Sequence, residues 1–236
     1  MLRMLFNEPP RIAQGRLAEA LQAMERFVSL LQRQISEGLD GDIKLRKYEI
    51  WTLGLIGSLD ELEQSQYAAH RYAEQIKSTY LINLSEAELM SYSRHIYYDK
   101  NAFIRIFALL DKLGTLMNEM FKLETGRIKA HFSYFTVLRN MRGRSLHMEL
   151  TLALNEIKER NKEPMARLRK RRNTEIHYMN SEMHDDLQRL HIKTDKDVPL
   201  ENIGLQLADL DKGCEMVMDT LRLTFEYAHR MMRKTK

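Results

Sequence analysis

From Ile203 to Phe225 the residues Ile203, Leu207, Leu210, Cys214, Val217, Leu221 and Phe225 recur at spacings of four and three. That period matches the turn of an α-helix and leaves one apolar seam for packing against another helix, in the same chain or in a partner. The signature repeats along the chain. Leu17, Leu21, Met24, Val28 and Leu31 carry it between Ile12 and Gly38, and Leu146, Leu150, Leu154 and Ile157 carry it before Arg160. Its strongest form is Phe103, Ile106, Phe107, Leu110, Leu113, Met117, Met120 and Phe121, the best candidate for the core. No useful length alternates apolar and polar residues as an amphipathic strand does. With 4 Pro and 10 Gly among 236 residues, helix breakers are scarce. The chain reads as all-α.

Local signals divide it further. Gly38 and Gly41 close the first helix. A second runs from about Ile43 to Ile56; Gly57 ends it, and Ser58 with Glu61 opens a third as a capping box, reaching about Tyr80. Ser85 with Glu88 forms another capping box, and Thr125-Gly126 ends the segment that follows. Ile128 to Leu138 reads either as a helix or as a long connection, and Arg142-Gly143-Arg144 as a turn. Pro164 suits the first turn of a new helix. His184 to Asp197 reads as a polar loop, with Asp197 capping the last helix and Pro199 in its first turn. A soft boundary near residues 80 to 85 separates an N-terminal helical segment, 1–82, from a helical bundle, 83–236.

Several function classes drop out. The single cysteine, Cys214, allows no internal disulfide and no Cys-based zinc site, and its place on the apolar seam makes it core. Such usage fits a reducing cytoplasm, and the expected location is cytoplasmic. Met1 to Phe6 is too short for a signal peptide. The most apolar run, Phe103 to Met117, is broken by Arg105, Asp111 and Lys112, so no membrane association is expected. His184 and His191 lie near Asp185, Asp186 and Asp195 without a regular ligand spacing; no metal and no cofactor are expected. His70, His95, His131, His147 and His229 read as structural or surface residues. The chain has no glycine-rich phosphate loop, no Gly-x-Ser-x-Gly elbow and no paired-carboxylate signature.

Charge points elsewhere. The net charge is +4, but Lys158 to Arg172 alone holds eight Lys/Arg and two Glu, so the rest of the chain is slightly acidic. A patch this concentrated suits a polyanion, nucleic acid first; the competing reading is a solvated helix face. At its end stands Arg172-Asn173-Thr174-Glu175-Ile176-His177. Arginine and histidine separated by four to six residues occur four times here, and about two such matches are expected by chance. Arg171–His177, Arg142–His147 and Arg222–His229 have Arg172, Gly143 and Leu223 after the arginine; only Arg172–His177 has a polar amide, Asn173.

Arg-x4-His with asparagine after the arginine resembles the signature of the HEPN superfamily, small all-α domains of which many are metal-independent endoribonucleases. The resemblance covers roughly the last two-thirds of the chain. Tyr98-Asp-Lys-Asn-Ala-Phe through Leu109-Leu-Asp-Lys-Leu-Gly114 also looks like a group of uncharacterised bacterial HEPN-like proteins. The resemblance implies a helical bundle of HEPN type with an additional N-terminal helical segment. It implies Arg172, Asn173 and His177 as catalytic residues, and RNA as substrate, which Arg167, Arg169, Lys170 and Arg171 would bind. The products would be a 2′,3′-cyclic phosphate and a 5′-hydroxyl. A homodimer, a role in toxicity or defence and a neutralising protein partner are further expectations. The alternative is a non-catalytic helical module that binds RNA or a protein through the same surface.

The chemistry suits those residue types. Histidine titrates near neutral pH and can take a proton from a ribose 2′-hydroxyl or give one to a leaving 5′-oxygen. An arginine fork can hold the phosphate and offset developing charge. Asn173 would orient His177 or complete the phosphate pocket. On a helix turning about 100° per residue, Asn173 and His177 are about 40° apart and Arg172 and His177 about 140°. Arg172 must reach around, or sit at a distorted helix start, or the site is completed by a second copy, as in similar proteins that pair two motifs across a dimer cleft.

Overall fold

The computed structural model describes residues 2–177 and 199–233. Among them are seven α-helices: α1 (Gly15–Ser36), α2 (Lys44–Ala73), α3 (Glu86–Met120), α4 (Tyr134–Gly143), α5 (Met148–Arg160), α6 (Lys162–His177) and α7 (Ile203–Arg233). Single 3-10 turns lie at Leu2–Phe6, Leu81–Asn83 and Thr125–Arg127. The described residues contain no strand beyond an isolated bridge between Tyr80 and Pro199. The protein is all-α, and no helix among these residues is long and apolar enough to cross a membrane.

The long antiparallel pair α2–α3 forms the spine. Lys47 meets Glu119 at one end, and the Ala69 carbonyl accepts from buried His95 at the other. The seam of α7 fills the middle: Leu210, Cys214, Val217, Leu221 and Phe225 are all buried. α1 runs parallel to α7, joined by Phe27–Phe225 ring contact at 5.4 Å and by Gln34 donating to the Met232 carbonyl. α5 and α6 run antiparallel to α7 on its other side. Residues from both sides of position 82 enter one hydrophobic cluster.

The capping box at Ser85 forms as expected: its hydroxyl accepts from the Glu88 N–H, and the Glu88 carboxylate accepts from the Ser85 N–H. α2 departs from expectation because it passes through Gly57 without a break. Ser58 opens no helix; its hydroxyl donates to the Gly54 carbonyl one turn back, at 2.9 Å, and accepts from Lys112. A mid-helix glycine costs only about 1 kcal/mol. Leu55, Leu59 and Leu62 keep one apolar face continuous across it, all three buried, and that burial outweighs the cost. The same helix ends at Ala73, short of Tyr80. The ambiguous Ile128–Leu138 resolves into a connection followed by α4. Pro199 is not in the first turn of the last helix but in the bridge to Tyr80; α7 begins at Ile203, where the Asn202 side chain accepts from the Leu205 N–H. Asp197 and the expected loop 184–197 lie outside the described residues.

Two glycines set close approaches. A Cβ on Gly114 of α3 would lie 2.9 Å from the Tyr134 Cα, so the start of α4 sits on bare α3 backbone. A Cβ on Gly213 of α7 would meet the end methyls of Ile106 and Leu168 at 2.6 and 2.7 Å, where α3, α6 and α7 converge. Gly114→Ala is expected to lower stability by about 1–3 kcal/mol, because the clash is with backbone and no side-chain rotation relieves it; thermal denaturation measures this.

Half-exposed His70 of α2 and Asp211 of α7 pair at 2.7 Å, and Gln66 donates to the same carboxylate oxygen. The hydrogen bond to Asp211 raises the His70 pKa against the opposing effect of burial. Burial pushes Asp211 upward, but the bonds from His70 and Gln66 outweigh it and lower its pKa. The histidine's contribution is complete below its ordinary value and fades as pH rises through the raised one. The aspartate's contribution fades as pH falls through its depressed value. Relative to a His70→Gln variant, the wild type should therefore gain most in melting temperature at mildly acidic pH and least above neutrality, measured across a pH series.

Candidate nucleic-acid site

α6 brings two buried apolar residues, Met165 and Leu168, to the core. Its other contacts are ionic or aromatic, because the run from Arg167 to Arg172 distributes guanidiniums around the helix. Arg167 grips Asp209 of α7 through both Nε and Nη2, at 2.7 and 2.6 Å. Arg171 pairs with Asp99 of α3 and lies over the Phe103 ring, 4.8 Å from its centre. The Asp99 and Asp209 side chains are 2% and 5% exposed, so both pairs dock α6 onto its neighbours. Lys170 is exposed and carries no ion pair among the described residues. Of the four cations expected to meet RNA, two thus have buried carboxylate partners inside the protein.

Arg172 turns toward α3. Its guanidinium lies 4.9 Å from the centre of the Phe107 ring, and its Nε and Nη2 donate to Asn173 Oδ1 at 3.2 and 2.7 Å. The amide oxygen of Asn173 is thereby engaged by the arginine rather than by the histidine. Arg169 stacks on Phe135 of α4 at 4.6 Å. Arg169 and Arg172 line one cavity of about 250 Å³ whose floor includes the Asp111 carboxylate. Burial raises the Asp111 pKa; the Tyr134 N–H, donating at 2.9 Å, and the nearby guanidiniums oppose that rise.

His177 is the last residue of α6 and is exposed, with no hydrogen-bond partner among the described residues. No hydrogen bond joins it to Arg172 or Asn173. Within one copy, Arg172, bonded to Asn173, faces the α3–α4 cavity, and the histidine stands at the helix end. The other described histidines are engaged or peripheral: His95 is buried, His147 bonds the Tyr227 hydroxyl at 2.8 Å, His131 is exposed, and burial and Arg233 lower the His229 pKa. Burial raises the Cys214 thiol well above its ordinary pKa, which leaves it inert as a nucleophile. Among the described residues no three His, Cys, Asp or Glu side chains are grouped to hold a metal. His184, His191 and their neighbouring aspartates lie outside the described residues.

Sequence reasoning missed the partners of the basic run. Asp99, Asp209 and Asp111 are far from it in the chain, and of the three only Asp99 carried a signal, a carboxylate in line with Ala102, Phe103 and Ile106 on the apolar stripe. The two kinds of cation are separable by stability. Arg171→Ala strands the Asp99 carboxylate in the interior and should cost about 3–5 kcal/mol. Lys170→Ala should stay within about 0.5 kcal/mol of wild type. Equal denaturation midpoints for the two variants would sink this division.

A family profile described as Cthe2314-like HEPN matches residues 51–229, which span α2 from Trp51 onward to the last turns of α7 and include the whole of α6. No curated protein and no solved structure matches the chain. The profile covers well over half of the chain, and the all-helical bundle agrees with it: the protein belongs to the HEPN superfamily.

Proposed function

We propose that the protein is a metal-independent endoribonuclease of HEPN type that works as a homodimer. The observation that carries this reading is the motif at the end of α6 in a chain of this family: an exposed His177, and Arg172 set against a cationic cavity. The site would be assembled from two copies, since Arg172 and His177 face different directions in one. One His177 takes the proton from the ribose 2′-hydroxyl as the 2′-oxygen attacks the phosphorus. The P–O5′ bond breaks, and the partner's His177, protonated, gives its proton to the departing 5′-oxygen. Arg172 offsets the charge that builds on the phosphoryl oxygens, and Asn173 holds that arginine in place. The products are a 2′,3′-cyclic phosphate and a 5′-hydroxyl. Arg169 and Lys170 are the α6 cations most available to the strand. A role in toxicity or defence, with a neutralising protein partner, is the biological setting this activity fits.

A second reading, a non-catalytic module that binds RNA or a protein, is favoured by one feature. The Arg172 guanidinium is already occupied by Asn173 and Phe107.

The test is cleavage of a mixed RNA pool in the presence of EDTA. His177→Ala, which removes an exposed side chain, is expected to fold normally and to lose at least about a hundredfold in rate. Adding His177→Ala subunits to wild type is expected to lower activity by more than the wild-type fraction lost, because a mixed dimer holds one of the two histidines that the reaction uses. Wild-type protein that binds RNA and never cuts it establishes the second reading instead.

A further inference from the structure

Arg160, Arg167 and Arg171 of the basic stretch are each met by an aspartate. Arg169 and Arg172 of α6 and Arg139 of α4 are not; none has a salt bridge among the described residues, yet all three line the same cavity. Phe135 and Phe107 lie behind Arg169 and Arg172, which holds the guanidinium planes; Arg169 keeps its N–H edges for a ligand, and Arg172, whose Nε and Nη2 donate to Asn173, keeps its Nη1 side. The hydroxyls of Ser133 and Thr136, 3.2 Å apart, line the α4 side. Asp111 is the one carboxylate there, and one of its oxygens accepts from the Tyr134 N–H. Three guanidiniums against one carboxylate leave the cavity with a net positive charge. A second cavity, of about 460 Å³, shares Thr136 and Arg139 with it and adds Lys129 and Arg144. The two adjoin along α4, so positive charge continues beyond the reach of one small anion.

We propose that the cavity is a phosphate subsite for the backbone of single-stranded RNA, and that the strand continues past Arg139 toward Lys129 along α4. Arg139, Arg169 and Arg172 supply guanidinium donors and Ser133 and Thr136 supply hydroxyl donors; guanidinium forks suit phosphate oxygens in number and spacing. Arg139 and α4 lie outside the Arg–Asn–His motif and extend its reach by a second helix. Asp111 works against binding: it anchors the start of α4 and partly neutralises the arginines until a phosphate arrives. This inference rests on the reading of the chain as a protein that acts on RNA.

The experiment uses the full chain and a single-stranded oligonucleotide carrying 2′-O-methyl groups throughout, which cannot be cut. Its affinity is measured by fluorescence anisotropy over a salt series. Arg139 is exposed and has no hydrogen bond or ion pair among the described residues, so Arg139→Ala should keep the fold. It is expected to weaken binding about tenfold and to make the dependence of log affinity on log salt shallower by about 0.7. Asp111→Asn, which keeps an acceptor for the Tyr134 N–H, is expected to tighten binding. Wild-type affinity and salt slope in Arg139→Ala overturn the subsite even if the wild-type protein cleaves RNA. Conversely, these opposite shifts in a protein that cuts no RNA support the subsite and overturn the nuclease reading. An oligonucleotide that the wild-type protein does not bind overturns both.

Discussion

A helix as cationic as α6 cannot lie on a protein core by apolar burial alone. Only Met165 and Leu168 face inward, and the guanidiniums around them would repel one another if left unmet. Asp209 and Asp99 resolve this from two sides, one on α7 and one on α3. Buried ion pairs of this kind add little net stability over apolar packing, but they are intolerant of losing one partner. Their effect is positional. They select one rotation of α6 about its axis, and that rotation decides which arginines are spent on the interior and which remain at the surface.

That rotation accounts for the rest of the site. With Arg167 and Arg171 paired to those aspartates, Arg169 and Arg172 come to the α3–α4 side, each backed by an aromatic ring. His177 follows more than a turn beyond Arg172 and leaves the core altogether. The motif is thus divided between a cationic wall and an exposed imidazole; in the proposed nuclease a second copy brings both to one phosphate. Engagement of the Asn173 amide by Arg172 stiffens the wall at the expense of orienting the histidine.

Much of the fold was legible because helical periodicity is a local property. The α1, α3, α5 and α7 stripes appear as buried faces, and the Ser85 capping box forms with both of its hydrogen bonds. The reading went astray at Gly57 and Ser58, where residue preferences favoured a break and α3 supplied a packing surface that kept one helix intact. The start of α7 was misplaced for a related reason: Pro199 is compatible with a first turn, but it is used in a bridge to a residue well over a hundred positions away. The family, and α6 as the carrier of the motif, were readable from Arg172, Asn173 and His177. The sorting of the basic run was not, since it depends on Asp99, Asp209, Phe107 and Phe135, whose approach is visible only once α3, α4 and α7 are assembled around α6.

The bare backbone at Gly114 has a consequence for recognition. It lies one turn from Asp111, and Tyr134 is held by both, through close approach to the first and a hydrogen bond to the second. The first turn of α4 is therefore registered against α3 before any ligand arrives. A wall built this way has little freedom left to surrender on binding. It also has little freedom to adapt, so at the proposed subsite discrimination among anions would fall to the ligand's own spacing of charges: a flexible chain of phosphates can adjust its pitch to a stiff row of arginines, where a rigid duplex cannot.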